Sequence, residues 1–109
     1  MPADVATFEL RESDQGICLV ATGEIDMLSG PSFAAALRKM LTLQHEAVVD
    51  LSGVTFMDST GLNVLCAVAA HDTVRLRGVP QHVRRIIAIT SLEDQFVIDS
   101  KDDTCRGGR

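Results

Sequence analysis

The alternation of apolar and polar positions divides the 109-residue chain into short segments. Residues 5–11 and 17–22 read as two strands. The polar linker Glu12-Ser13-Asp14-Gln15-Gly16 between them ends in glycine and suits a hairpin. Gly23 is expected to break the second strand and leave residues 23–30 as a loop. A helix should start at Pro31, capped by Ser29 or Gly30. Its apolar stripe is Phe33, Ala36, Leu37, Met40 and Leu41, and Arg38 and Lys39 lie late in it, where cations meet the negative end of the dipole. Residues 47–51 are apolar except for Asp50 and predict a buried central strand, followed by a loop from Ser52. The segment 62–70, apolar except for Asn63, predicts a helix capped by Asp58. Residues 73–77 alternate as a half-exposed strand. Pro80 opens a third helix with Val83, Ile86, Ile87 and Thr90 on one face, and residues 95–98 form a last strand.

The expected order is β-β-α-β-α-β-α-β. It describes an α/β domain with a mixed, mainly parallel sheet of about five strands, covered by about three helices. One domain over residues 1–100 accounts for the whole pattern. Residues 101–109 are polar and Gly-rich and are expected to form a flexible tail.

Composition narrows the function classes. Aromatic residues are 4% of the chain, without Trp or Tyr, which disfavours a base-stacking nucleic-acid surface. The net charge of -5 opposes approach to phosphate backbones. All of that excess lies in residues 1–55, which hold eight acids and three bases. The longest apolar run, Val64 to Ala70, is far short of the roughly 20 residues of a membrane span, so no membrane insertion is expected. No signal peptide is evident at the N-terminus. Cys18, Cys66 and Cys105 are odd in number and widely spaced, without a disulfide framework or zinc pattern. Cys18 and Cys66 read as small core groups and Cys105 as an exposed thiol, a usage that suits a reducing cytoplasm. His45, His71 and His82 show no ligand spacing with the cysteines, so neither a metal nor a cofactor is expected. Arg75, Arg77, Arg84 and Arg85 with His82 read as solvated faces of a strand and a helix. Asp26 and Asp50 read as solvated acids at a loop and a strand edge.

The chemistry concentrates in Val54 to Asn63, where an apolar strand end turns into a helix N-terminus. Unpaired backbone N–H groups at such a terminus favour anions. Asp58 can cap them, with Ser59 and Thr60 presenting hydroxyls at the rim. The plainest reading is an Asp cap followed by two polar first-turn residues. No nucleophile elbow is present, and Ser59 has no evident base, so enzymatic activity is not expected.

Phe56-Met57-Asp58-Ser59-Thr60-Gly61-Leu62 resembles the signature of the bacterial anti-anti-sigma factors, the stand-alone STAS domains. Gly23-Glu24-Ile25-Asp26 is similar to that family's G-E-(I/L)-D loop. Ile89-Thr90-Ser91-Leu92 is similar to its I-T-G-L turn, with Ser91 in place of glycine. The likeness spans about residues 5–99. It implies a cytoplasmic protein, monomer or weak dimer, that binds an anti-sigma factor of the GHKL serine-kinase type and so releases a sigma factor. Ser59 would be the phosphoacceptor, with Asp58, Thr60 and Gly61 around it, and a serine phosphatase would reverse the modification. Gly23, Glu24, Ile25, Asp26, Leu62 and Asn63 would line the partner-binding face. The resemblance also admits a STAS subunit of a membrane transporter or a small-ligand sensing STAS domain. The stretch from Gly61 to Val74 looks about five residues shorter than in typical members, and Asn63 stands where a second glycine is common. Both departures lie beside the expected docking surface.

Overall fold

The computed structural model describes residues 5–99; the expected tail at 101–109 and Cys105 lie outside the described residues. The elements are β1 (Thr7–Ser13), β2 (Gly16–Ile25), α1 (Gly30–Leu41), β3 (Glu46–Met57), α2 (Ser59–Ala69), β4 (Thr73–Arg77), α3 (Gln81–Ile89), a 3-10 turn (Glu93–Gln95) and β5 (Val97–Ile98). The expected element order holds. The sheet order is β1-β2-β3-β4-β5, antiparallel between β1 and β2 and parallel elsewhere. Every crossover therefore steps one strand in the same direction, and the right-handed rule puts all three helices over one face.

That face is the core. Leu19, Ala21, Val49, Leu51, Val74 and Leu76 alternate along β2, β3 and β4 and are buried with Phe33, Leu37 and Met40 of α1, Leu65 of α2, and Val83 and Ile87 of α3. Phe8 extends the core to β1 by stacking on Phe33, with ring centroids 5.2 Å apart.

Three boundaries differ from expectation. β2 does not stop at Gly23. It continues to Ile25 through register shifts at Val20/Thr22 and Gly23/Glu24, with Gly23 at φ 82°. β3 runs to Met57, whereas a loop was expected from Ser52. The last strand is Val97–Ile98 rather than residues 95–98, because Gln95 belongs to the 3-10 turn. Asp50 also corrects its reading as a solvated acid: it is fully buried, and Oδ1 accepts from the Ser52 amide at 2.8 Å. Cys18 is buried on β2 and carries a disulfide bond, which the cysteine spacing did not suggest. Cys66 is a free thiol on α2.

Candidate functional site

The β3–β4 ladder ends at Asp50 opposite Arg77, but the β2–β3 pairing continues to Ile25 opposite Met57. The two strands thus project past the rest of the sheet as a narrow ledge. The Asp58 amide closes it by donating to the Ile25 carbonyl at 3.2 Å. Gly23 is required inside this ledge. Besides its positive φ, a Cβ there would stand 2.5 Å from the Val5 carbonyl oxygen.

The chain turns from the ledge directly into α2. Asp58 is extended (φ -103°, ψ -169°), and its Oδ1 accepts from the Thr60 amide at 2.8 Å, the expected N-cap. Ser59 is the first helical residue and is exposed; Thr60 is half-buried. Gly61 is buried, and a Cβ on it would lie 2.8 Å from both Ile25 Cγ2 and Met57 Cγ. The glycine lets the first turn of α2 sit directly on the ledge, which fixes where Ser59 emerges.

The β2–α1 loop forms the other wall. Asp26 Oδ1 accepts from the amides of Leu28 (3.0 Å) and Ser29 (3.2 Å). The Ser29 hydroxyl donates to the Glu24 carbonyl at 3.1 Å and accepts from the Asp26 amide at 3.0 Å. The Gly30 amide donates to the Asp26 carbonyl at 2.8 Å. Ser29 is the N-cap residue of α1, as expected, but its side chain organises the loop instead of capping the helix. A Cβ at Gly30 would come within 2.8 Å of Thr60 Cγ2, so the starts of α1 and α2 are in direct contact.

The residues singled out from the sequence therefore come together, in different roles. Glu24 and Asp26 are half-buried, and Ser59 and Asn63 are exposed. Ile25 (0% exposed) and Leu62 (2%) turn into the core, so their side chains position the surface and do not form it. Ser29, Gly30 and Met57 complete the arrangement and were not among the expected site residues. The S-G-P run before α1 was a visible signal for the first two; Met57 had none beyond its place in the motif.

The site is one-sided in charge. Glu24, Asp26 and Asp58 belong to it, while the nearest bases in sequence, Arg38 and Lys39, lie in the last turn of α1, away from the loop. The two arginines of β4 are engaged elsewhere, not merely solvated. Arg75 pairs with Asp99 at 2.8 Å and with Glu46 at 3.2 Å, and Arg77 pairs with Asp99 at 3.0 Å. The Asp99 hydrogen bond is the main cause that raises the Arg75 pKa. Arg84 bonds the Val79 carbonyl. Burial pushes the Cys66 thiol above its ordinary pKa, which makes it a poor nucleophile. No cluster of three metal-ligating side chains occurs among the described residues.

A sequentially ordered five-stranded sheet with a serine at the start of its second helix, held beside an acidic strand-end loop, defines a STAS-type α/β domain. The chain belongs to the STAS domain family: residues 8–99 match the family described as "Mlab, STAS domain". It is 30% identical over 110 residues to the anti-sigma-B factor antagonist of Listeria monocytogenes, covering 93% of this chain and 95% of that protein. The anti-sigma-B factor antagonist of Bacillus subtilis is 25% identical over 100 residues, covering 87% and 92%. Among solved structures, an anti-sigma factor antagonist from Mycobacterium paratuberculosis superposes with a TM-score of 0.77 at 28% identity, covering 92% of this chain and 90% of that one. The anti-sigma factor antagonist SpoIIAA in its unphosphorylated form shares the fold, with a TM-score of 0.67 at 16% identity over 86% and 89% of the chains.

Proposed function

We propose that this protein is an anti-sigma factor antagonist. It binds an anti-sigma factor of the GHKL serine-kinase type in the cytoplasm, frees the sigma factor, and is switched off when its partner phosphorylates Ser59. It acts by binding and not by catalysis. The observation that carries this reading is the placement of Ser59: exposed, first in α2, behind the Asp58 cap and beside the Glu24–Asp26 loop. The full-length likeness to antagonists named for anti-sigma-B supports the partner class.

The physical effect of the switch follows from charge. Transfer of the ATP γ-phosphoryl group to Ser59 Oγ releases ADP and the hydroxyl proton. It adds about -1.5 to -2 charges and three strong acceptors. The α2 N-terminus stabilises negative charge, so the fold tolerates the group. The binding surface does not: it already carries three carboxylates and no Lys or Arg in the flanking segments. A serine phosphatase restores binding by hydrolysing the ester.

The test is to incubate the protein with purified GHKL-type anti-sigma factors from the same genome and ATP. Any phosphate is mapped by mass spectrometry, and affinity is measured before and after. Phosphate on Ser59 with weakened binding supports the reading. Failure to bind any of these kinases refutes it, and co-purification with a transporter ATPase and permease instead would assign the chain to a transporter.

A further inference from the structure

We infer that Met27 and Leu28, at the tip of the β2–α1 loop, form an apolar anchor that inserts into a hydrophobic cleft rimmed by Lys or Arg on the anti-sigma factor. The inference rests on the reading that the chain binds such a factor. Leu28 is 91% exposed and Met27 is 74% exposed. Single exposed apolar side chains are ordinary on protein surfaces. These two are adjacent in sequence, and they are not on a slack loop. Asp26 accepts from the Leu28 and Ser29 amides, the Ser29 hydroxyl ties back to the Glu24 carbonyl, and the Gly30 amide returns to Asp26. Polar groups inside the loop are thus used to hold two large apolar side chains in water. Such preorganisation lowers the ordering cost of binding.

The position of the tip selects the occupant. Gly30, two residues beyond Leu28, contacts Thr60, so the anchor lies beside the Ser59 surface. Phe56, the half-exposed Cα partner of Glu24, extends apolar surface along the same ledge. The charged side chains of the ledge, the loop and the start of α2 are Glu24, Asp26 and Asp58; the bases of α1, Arg38 and Lys39, lie in its last turn, at the end away from this loop. An apolar tip flanked by carboxylates matches an apolar cleft with a basic rim. A second copy of this chain would bring the same carboxylates against their own kind, and an anionic lipid surface would be repelled. A phosphate on Ser59 would stand at the edge of this contact, which couples the anchor to the switch.

The experiment titrates wild type, Leu28→Asn, Met27→Asn, Leu28→Met and Ile89→Asn calorimetrically against the purified GHKL anti-sigma factors. Ile89 is 75% exposed at the C-terminal end of α3 and serves as the control. Leu28→Asn should weaken binding about tenfold or more. Met27→Asn should weaken it less, Leu28→Met should recover most of the affinity that Leu28→Asn loses, and Ile89→Asn should bind as wild type. Circular dichroism should be unchanged throughout, because the altered side chains face solvent. If wild type binds but Leu28→Asn and Met27→Asn bind equally well, the anchor is refuted and the proposed function stands. If wild type binds none of the factors, that function fails and the anchor with it. Gel filtration and sedimentation with phosphatidylserine vesicles test the other occupants. A wild-type dimer or vesicle complex that Leu28→Asn abolishes would overturn the inference.

Discussion

Gly61→Ala probes how the site is held in place. The added methyl would lie 2.8 Å from Ile25 Cγ2 and from Met57 Cγ. Carbon–carbon contacts are optimal at about 3.5–4.0 Å, so the ledge and α2 must separate by roughly 0.7 Å or more. Met57 can swing aside, but Ile25 is β-branched, on a strand and fully buried, and has little freedom. Overpacking of this kind costs about 1–3 kcal/mol. Alanine returns up to about 1 kcal/mol of helix propensity. From the middle of that overpacking range, about 2 kcal/mol, the net loss should be about 1–2 kcal/mol, lowering Tm by about 4–15 °C for a domain of this size. The chain has no Trp, so urea and thermal unfolding are best followed by far-UV circular dichroism. Pairing with Met57→Ala adds a second check. That change alone costs about 2–5 kcal/mol by opening a cavity, but the cavity would accept the new methyl. The double variant should therefore be more stable than the two losses combined predict, by about 0.5 kcal/mol or more. Unchanged or higher stability of Gly61→Ala, or strict additivity with Met57→Ala, would refute the close-approach explanation.

Asp58→Ala should cost about 0.5–2 kcal/mol in urea unfolding, because the Thr60 amide loses its acceptor; Asp58→Asn, which keeps an oxygen there, should cost less. Ser91→Gly should gain roughly 1 kcal/mol in the same assay. Ser91 sits at φ 59°, just past α3, where the Leu92 and Ser91 amides bond the Ile87 and Ala88 carbonyls in a Schellman turn, and the left-handed conformation is costly for any residue with a Cβ. Cys66 should be alkylated by iodoacetamide near pH 8 more slowly in the native protein than in urea, since burial raises its pKa. A thiol whose folded pKa lies above its unfolded value contributes stability below the unfolded pKa and loses it as pH rises through the folded one. Native stability should therefore slope downward above about pH 8.5, less so in Cys66→Ser.

The core was legible because it follows simple periods. The stripe Phe33, Leu37, Met40 and the alternation of Val74 and Leu76 each report one buried face, and both elements formed as read. The ledge was not legible. Residues 52–57 of β3 pair only with β2, beyond the reach of β4, so Ser52, Thr55 and Phe56 remain exposed and the segment lacks a buried strand's continuous apolar run. Gly23 misled for a related reason. It accommodates a register shift and a positive φ within a strand that continues, although glycine ordinarily marks a stop. At the site, the Asp58 cap could be read from local chemistry. The need for glycine at 61 could not, because Ile25 is 36 positions away in the chain and meets it only in the fold. Asp26 looked like a solvated acid because its partners, the Leu28 and Ser29 amides, exist as donors only in the folded loop.

The central claim is that charge at Ser59 governs partner binding while leaving the fold intact. The most direct measurement compares the affinity of unmodified and kinase-phosphorylated protein for the same GHKL anti-sigma factor, with thermal unfolding of both forms alongside. The account predicts phosphate on Ser59 alone, binding weakened about tenfold or more and restored by a serine phosphatase, and closely similar unfolding curves. Equal affinity of the two forms, phosphate on Thr60 in place of Ser59, or loss of binding that merely follows unfolding would contradict it.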